Sequence, residues 1–433
     1  MTRTVVPRIL ALHSQDLVDV MLHLEHCNDP RAKHVFNLAN RGTLHPLNEQ
    51  KLKPLRLKKS GVFNEQIFNS PILYPPASLP FDFLPTVAEV QRALKEDISG
   101  PNTYRFAPPL GSAEKDAHAT IKLLNNIPNP AFSDRGAIIH MTSPTFDRLR
   151  TKTMPWAADG ILGQSDFQIT VAPANEVFDL EYSPYYTFST LLSGEKIWIA
   201  YPPGHGNLDV LQRQYASLAG RTSGAVFMPI VDDLQHGIAI VQTRGQTLML
   251  PPFWSYLVVS TTTSTAATYS LSTALTFPER MQNIRVQVDG ARMWPDISTQ
   301  QSEIIILAES LAQHLERILN TAWTGTKFKV DPVIKDTCAR WDAVKESVAR
   351  LCKMIDDGGK RMRVERMWQD AWLVFLKQGS RVKGECRIWY RFGRRGDDGA
   401  FRGAALGSWG LETRGACGRE CKCWVIHPSR CSN

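Results

Sequence analysis

Between Phe167 and Ser272 the chain is cut by Gly and Pro into short apolar stretches with little helical periodicity, apart from an insert at 204–235 that shows no clear pattern. Phe167-Gln-Ile-Thr-Val171 alternates apolar and polar residues at period two, as a half-buried strand does. Ile238-Ala-Ile-Val241 and Thr247-Leu-Met-Leu250 read as two more strands joined across a turn at Arg244-Gly245. Pro251-Pro252-Phe-Trp254-Ser-Tyr256 closes the second of these, and Tyr256-Leu-Val-Val-Ser260 opens another. Gly136-Ala-Ile-Ile-His-Met141 supplies an earlier strand. Short strands with this punctuation predict an antiparallel sandwich or barrel.

Charged residues inside such a structure have to be accounted for. Asp179-Leu-Glu181 places two carboxylates at period two, on one strand face. If that face is the interior, the pair needs a counter-charge, a bound cation or raised pKa values. Lys196, in Ser193-Gly-Glu-Lys196-Ile-Trp198-Ile-Ala-Tyr-Pro-Pro203, is the obvious counter-charge. Two plainer readings stand beside this: a solvent-facing carboxylate pair, and an internal ion pair with Lys196. Trp198, Trp254 and Tyr256 fit packed core or pocket lining. His205 and His236 are the imidazoles nearest to this stretch in sequence.

In order and spacing, these residues resemble the JmjC family, the double-stranded β-helix (cupin-like) oxygenases dependent on Fe(II) and 2-oxoglutarate. The matching frame is Ser193-Gly194, Lys196, Trp198 and Pro202-Pro203 at fixed distance from Asp179, followed by Val241-Gln-Thr-Arg-Gly245-Gln-Thr-Leu-Met-Leu-Pro-Pro252. The resemblance covers about a third of the chain. It implies a metal triad at Asp179, Glu181 and Tyr256, with Lys196 on the far carboxylate of 2-oxoglutarate. Histidines belong at the first and third triad positions, where this chain has Asp179 and Tyr256. Two neutral imidazoles and one carboxylate suit Fe(II), whereas two carboxylates and a phenol make a harder, weaker set. The resemblance therefore implies a catalytically degenerate JmjC-like module that binds or scaffolds proteins, with a chromatin association in view. The competing expectation is an Fe(II)/2-oxoglutarate-dependent protein hydroxylase or histone demethylase with an atypical metal site.

The rest of the chain is expected to be helical or irregular. At 433 residues, with 43% hydrophobic and 21% charged, it has the composition of an ordinary globular chain of two or three domains. The expected fold is a mainly β core with flanking helices (α+β), a double-stranded β-helix followed by a C-terminal helical bundle. Residues 1–130 form helical and extended segments packing on the barrel, and residues 131–285 the barrel core. Within the first, residues 14–27 and 112–125 read as helices, Pro71 to Pro85 as an extended segment, and Thr86-Val-Ala-Glu89 as a capping box opening a helix to about Asp97. Residues 296–379 form a three-helix region: one helix opened by a capping box at Ser298-Thr-Gln-Gln301, a second by Asp331-Pro332, and a third stopping at Gly379.

Residues 380–433 are Gly- and Arg-rich and hold five of the eight Cys, and they read as disordered. A zinc site at Cys417, Cys421, Cys423, His427 and Cys431 lacks the paired spacing such sites use. The net charge of +8 and the basic run Lys51-Leu-Lys53-Pro-Leu-Arg56-Leu-Lys58-Lys59 keep nucleic acid open as a partner beside protein partners. The C-terminal helices offer a homodimer surface. No apolar run approaches membrane-spanning length and no cleavable leader is apparent, so the expected location is intracellular, with the nucleus open.

Overall fold

The structure is a computed structural model that describes residues 45–46, 70–74, 76, 84–99, 104–107, 123–128, 138–143, 145–146, 161–174, 176–178, 180–204, 206–218, 233–274, 276–292, 296–320, 341–382, 409–412 and 425–428. It is a mixed α+β protein whose sheets are almost wholly antiparallel. The helix expected at 14–27, the basic run at 51–59 and the Asp331-Pro332 cap lie outside the described residues, as does the cysteine cluster apart from His427. The described residues form two units, one ending at Thr276 and one built from Phe277–Ala291 and the helices after Asp296.

The first unit opens with β1 (His45–Pro46), β2 (Ile72–Tyr74), α1 (Val87–Ser99), β3 (Tyr104–Ala107) and β4 (Ile138–Thr142). It continues through β5 (Ile161–Gln164), β6 (Gln168–Ala172), β7 (Glu176–Val177), β8 (Glu181–Tyr182), β9 (Tyr186–Ser193) and β10 (Glu195–Tyr201). Helix α2 (Asn207–Leu218) precedes β11 (Ile238–Thr243), β12 (Thr247–Leu250), β13 (Ser255–Ser260) and β14 (Ser264–Thr273). Six strands make one sheet in the order β1-β11-β10-β13-β7, with β8 also on β13. Eight make the other, β2-β12-β9-β14-β6-β4-β3, with β5 also on β14. The chain passes from sheet to sheet at β9–β10, β11–β12 and β13–β14. Among the described residues only β1 with β11 pairs in parallel.

Apolar burial explains the layering. All eight residues of β9 are buried, because the eight-stranded sheet is covered on both faces. On one face Phe188, Met249, Tyr269 and Ile169 pack with Val90 and Leu94 of α1, and Phe188 stacks on Tyr269 with ring centroids 4.9 Å apart. On the other, Leu248 and Leu250 meet Trp198, Ala200, Ile240 and Val258 of the six-stranded sheet. Within the extended segment expected over Pro71–Pro85, Ile72–Tyr74 forms β2, paired along β12, and residues 75 and 77–83 lie outside the described residues.

The turns and caps show where local chemistry was decisive. Thr86 and Glu89 form the expected box: the Thr86 N–H donates to Glu89 Oε2 at 2.8 Å, and the Glu89 N–H donates to Thr86 Oγ1 at 3.2 Å. In the second unit, α3 (Phe277–Gln282) and α4 (Ile284–Ala291) precede α5 (Ile297–Asn320), α6 (Trp341–Lys353) and α7 (Gly358–Val382). The cap of α5 is Asp296 and not Ser298, since the Thr299 N–H donates to Asp296 Oδ1 at 2.6 Å. Gln301 instead donates to the Met354 carbonyl and accepts from the Asp356 N–H, tying α5 to the end of α6. Helix α7 begins under an Asp357 cap and runs through Gly379, so that glycine does not end it. From the tail, β15 (Trp409–Glu412) and β16 (Val425–Pro428) pair as an antiparallel ladder. No helix among the described residues is long and apolar enough to cross a membrane.

Gly194 and Gly206 separate two costs of a side chain. Both have positive φ, +80° and +78°. A Cβ on Gly194 would lie 2.4 Å from the Thr263 carbonyl oxygen, whereas one on Gly206 meets nothing within 4 Å. Gly206→Ala should cost only the left-handed conformation, about 1 kcal/mol. Gly194→Ala should cost clearly more, roughly 3 kcal/mol, because backbone has to move as well. Urea denaturation of the full chain with each variant measures the difference, and equal losses would contradict this account.

Candidate functional site

The expected site residues sit on strands that run side by side. Strand β10 lies between β11 and β13, with Lys196 opposite Gln242 and Ser260, Trp198 opposite Ile240 and Val258, and Ala200 opposite Tyr256. Strand β8 adds Glu181 opposite Tyr256 on the far edge of β13. Alternation then puts Lys196, Trp198 and Ala200 on the face turned to the eight-stranded sheet. Residues far apart in sequence therefore share one inner face, with Glu181 at its solvent-exposed edge. Asp179 lies outside the described residues.

The Ser-Gly-x-Lys-x-Trp string has a structural reason at almost every position. Gly194 makes the close turn from β9 into β10 over Thr263. Trp198 donates its indole N–H to Gln242 Oε1 at 2.8 Å, and Gln242 passes its own N–H groups to the carbonyls of Ser189 at 2.7 Å and Gln246 at 2.9 Å. Pro202-Pro203 ends β10, and the Asn207 side chain donates to the Pro202 carbonyl at 2.8 Å to start α2. Phe253, in Pro251-Pro252-Phe-Trp254, adopts φ 62° with its N–H on the Ser183 carbonyl at 2.7 Å, which sets the start of β13 beside β8. The sequence carried no sign of that left-handed, fully buried phenylalanine.

Glu181 and Tyr256 touch: the phenol donates to Glu181 Oε2 at 3.2 Å. Burial, and then the Glu181 carboxylate beside it, push the Tyr256 phenol well above its ordinary pKa. It therefore stays protonated at any physiological pH. The Tyr256 ring also leans on Trp198, with centroids 5.4 Å apart. Tyr215 of α2 is likewise driven up, first by burial and then by Tyr182 and Glu181.

Lys196 is only 3% exposed, and its ammonium lies over the Phe178 ring, 5.1 Å from the centroid. Burial pushes its pKa down to about 8, and the Glu181 carboxylate pulls weakly the other way. The plainer expectation is an ion pair of Lys196 with Asp179 or Glu181: among the described residues no carboxylate, Glu181 included, lies within ion-pair distance of Lys196, and Asp179 lies outside them.

One site residue escaped the sequence reading. His140 of β4 lies edge-on to Phe178, with centroids 6.3 Å apart, and its Nδ1 is 3.0 Å from Thr170 Oγ1 on β6. Burial, then the Lys196 charge, lower its pKa, so the ring is neutral. Its neighbours Ile139 and Met141 point into the opposite, α1-covered core, so strand alternation turns His140 inward. That alternation was the available signal. Nearness in sequence pointed instead to His236, which is exposed with φ 58°, and to His205, which lies outside the described residues.

The donor set does not fit the iron that the JmjC resemblance implies. Glu181 is engaged by a phenol that keeps its proton, and a neutral phenol is a poor ligand. Among the described residues no three His, Cys, Asp or Glu side chains converge on a point that could hold a metal ion. Comparison with protein-family models and with curated protein sequences finds no match to this chain.

The depressed lysine has a consequence for stability. The folded chain holds the Lys196 proton more weakly than the unfolded chain does, whose lysine titrates near 10.5. The penalty is therefore fully present below about pH 8 and is relieved as the pH rises from about 8 towards 10.5. It amounts to roughly 3 kcal/mol at neutral pH. Tyr256 acts oppositely, but only above pH 10. Lys196→Met should stabilise the chain at pH 7 by roughly 1–3 kcal/mol and abolish the rise in stability between pH 8 and 10. Denaturant midpoints measured across that window test it.

Proposed function

We propose that this chain is a JmjC-like double-stranded β-helix protein that no longer carries out iron chemistry and acts as a binding or scaffolding module for protein partners. The observation that carries this reading is the hydrogen bond from Tyr256 to Glu181. Two positions that the JmjC frame assigns to metal ligands meet across β8 and β13, 75 residues apart in sequence, yet they satisfy each other. The exchange of the chain between two antiparallel sheets at β9–β10, β11–β12 and β13–β14 supports the double-stranded β-helix. The interior position of Lys196 supports the register of the frame.

An inner face whose metal-ligand positions hold a self-satisfied pair is suited to binding rather than to turnover. Lys196, His140 and the hydroxyl of Thr170 supply polarity, and Phe178 and Trp198 supply apolar surface. The enzymatic alternative would need Glu181 released from Tyr256 and further ligands supplied, and no contact among the described residues favours it.

Anaerobic calorimetry of the full chain with Fe(II) or Mn(II), with and without 2-oxoglutarate, tests the reading. The expected outcome is no heat of metal binding in folded protein. Micromolar binding that tightens with 2-oxoglutarate would overturn it in favour of the oxygenase. The double variant Asp179→His with Tyr256→His should gain Fe(II) affinity if the register is right, and its failure to do so in folded protein would overturn the JmjC register.

A further inference from the structure

We propose that Lys196 is a covalent carbonyl-binding site, whose amine condenses with a small aldehyde or ketone to form an imine inside the first unit. The inference rests on the surroundings of this one side chain and does not depend on the loss of iron chemistry.

A buried ammonium normally comes with partners that take its protons, because an unpaired charge in a dry interior is costly. Among the described residues Lys196 has none of the usual kind. Its cross-strand neighbours are polar, but both are committed elsewhere: Gln242 bonds Trp198, the Ser189 carbonyl and the Gln246 carbonyl, and Ser260 Oγ lies 2.9 Å from Ser264 Oγ. What faces the nitrogen is the Phe178 ring. Among the described residues, the charged and titratable groups acting on the site are the neutral His140 of β4, which opposes the ammonium, and the Glu181 carboxylate of β8, which acts at a distance. An aromatic face stabilises a cation less than a carboxylate would, and it leaves the lone pair of the neutral amine unoccupied. Lysines placed in this way become nucleophiles near neutral pH. The burial-driven fall of the Lys196 pKa to about 8 agrees with the geometry.

The chemistry balances without an oxidant or reductant. Nζ adds to the carbonyl carbon, forming the C–N bond as the π bond of the carbonyl breaks. The carbinolamine then loses water, which carries off the carbonyl oxygen and both amine hydrogens and leaves a C=N bond. His140, on the same Phe178 ring, is a neutral imidazole suited to passing those protons.

The test is reductive trapping of the full natural chain at pH 8 with sodium cyanoborohydride and limiting butanal, and in parallel with pyruvate, followed by peptide mapping. At that pH about half of the Lys196 amine is free, against well under 1% for a lysine at its ordinary pKa, so Lys196 should label at least about 10-fold faster than the average of the other lysines. Faster labelling with butanal alone would assign an uncharged ligand, and with pyruvate one bearing a carboxylate. Either supports the proposal. The preference should vanish in urea, which shows that the fold creates it. Labelling at Lys196 no faster than elsewhere with both probes, in folded protein, overturns the proposal. Mapping on the natural chain needs no variant to fold, and the result is independent of the metal titration.

Discussion

One buried amide links the two sheets. Gln242 belongs to the six-stranded sheet, yet its side chain donates to the backbone of Ser189 in the eight-stranded one, while its oxygen takes the indole proton of Trp198. Hydrogen bonds of this kind contribute modestly when made and cost far more when one partner is missing, so they penalise every other register. A shift of β11 by one residue would turn Gln242 out of the interior and leave both Trp198 and the Ser189 carbonyl without their partner. The inner positions of Lys196, Trp198 and Tyr256 follow from that register.

The inner face therefore combines constraints of two origins. Trp198, Gln242 and Gly194 are explained by the architecture alone. Lys196 and His140 are not, since apolar residues of similar size would pack there at lower cost, and the exposed Glu181 with its Tyr256 partner is not required by the architecture either. Glu181 and Tyr256 answer each other, whereas among the described residues Lys196 is met by an aromatic ring and by no hydrogen-bonded carboxylate. The asymmetry is what directs attention to the lysine as a reactive group and to the pair as an inert one.

Much of this was legible in the sequence where short-range rules apply. Period-two alternation located β6, short apolar runs bounded by Gly and Pro located β11, β12 and β13, and the reciprocal geometry of Thr86 and Glu89 follows from their spacing. The rules misplaced the cap of α5, because Ser298 and Gln301 fit the pattern while Asp296, a stronger acceptor, stood two residues earlier. Gly379 did not stop α7, because a glycine ends a helix only where the chain also turns away. His140 was overlooked for a different reason. Its site is assembled by β4 lying against β6, a pairing between distant segments that no local window reports.

The turn at Gly194 bears on what such strings signify. Its glycine is required by a positive φ and by contact with the Thr263 carbonyl, neither of which involves a metal or a cosubstrate. The prolines after Tyr201 end a strand, and Trp198 anchors a sheet. Chains that have shed their chemistry would keep all three for mechanical reasons. A search written around that string retrieves an architecture, and only the residues it leaves unspecified can separate working members from silent ones.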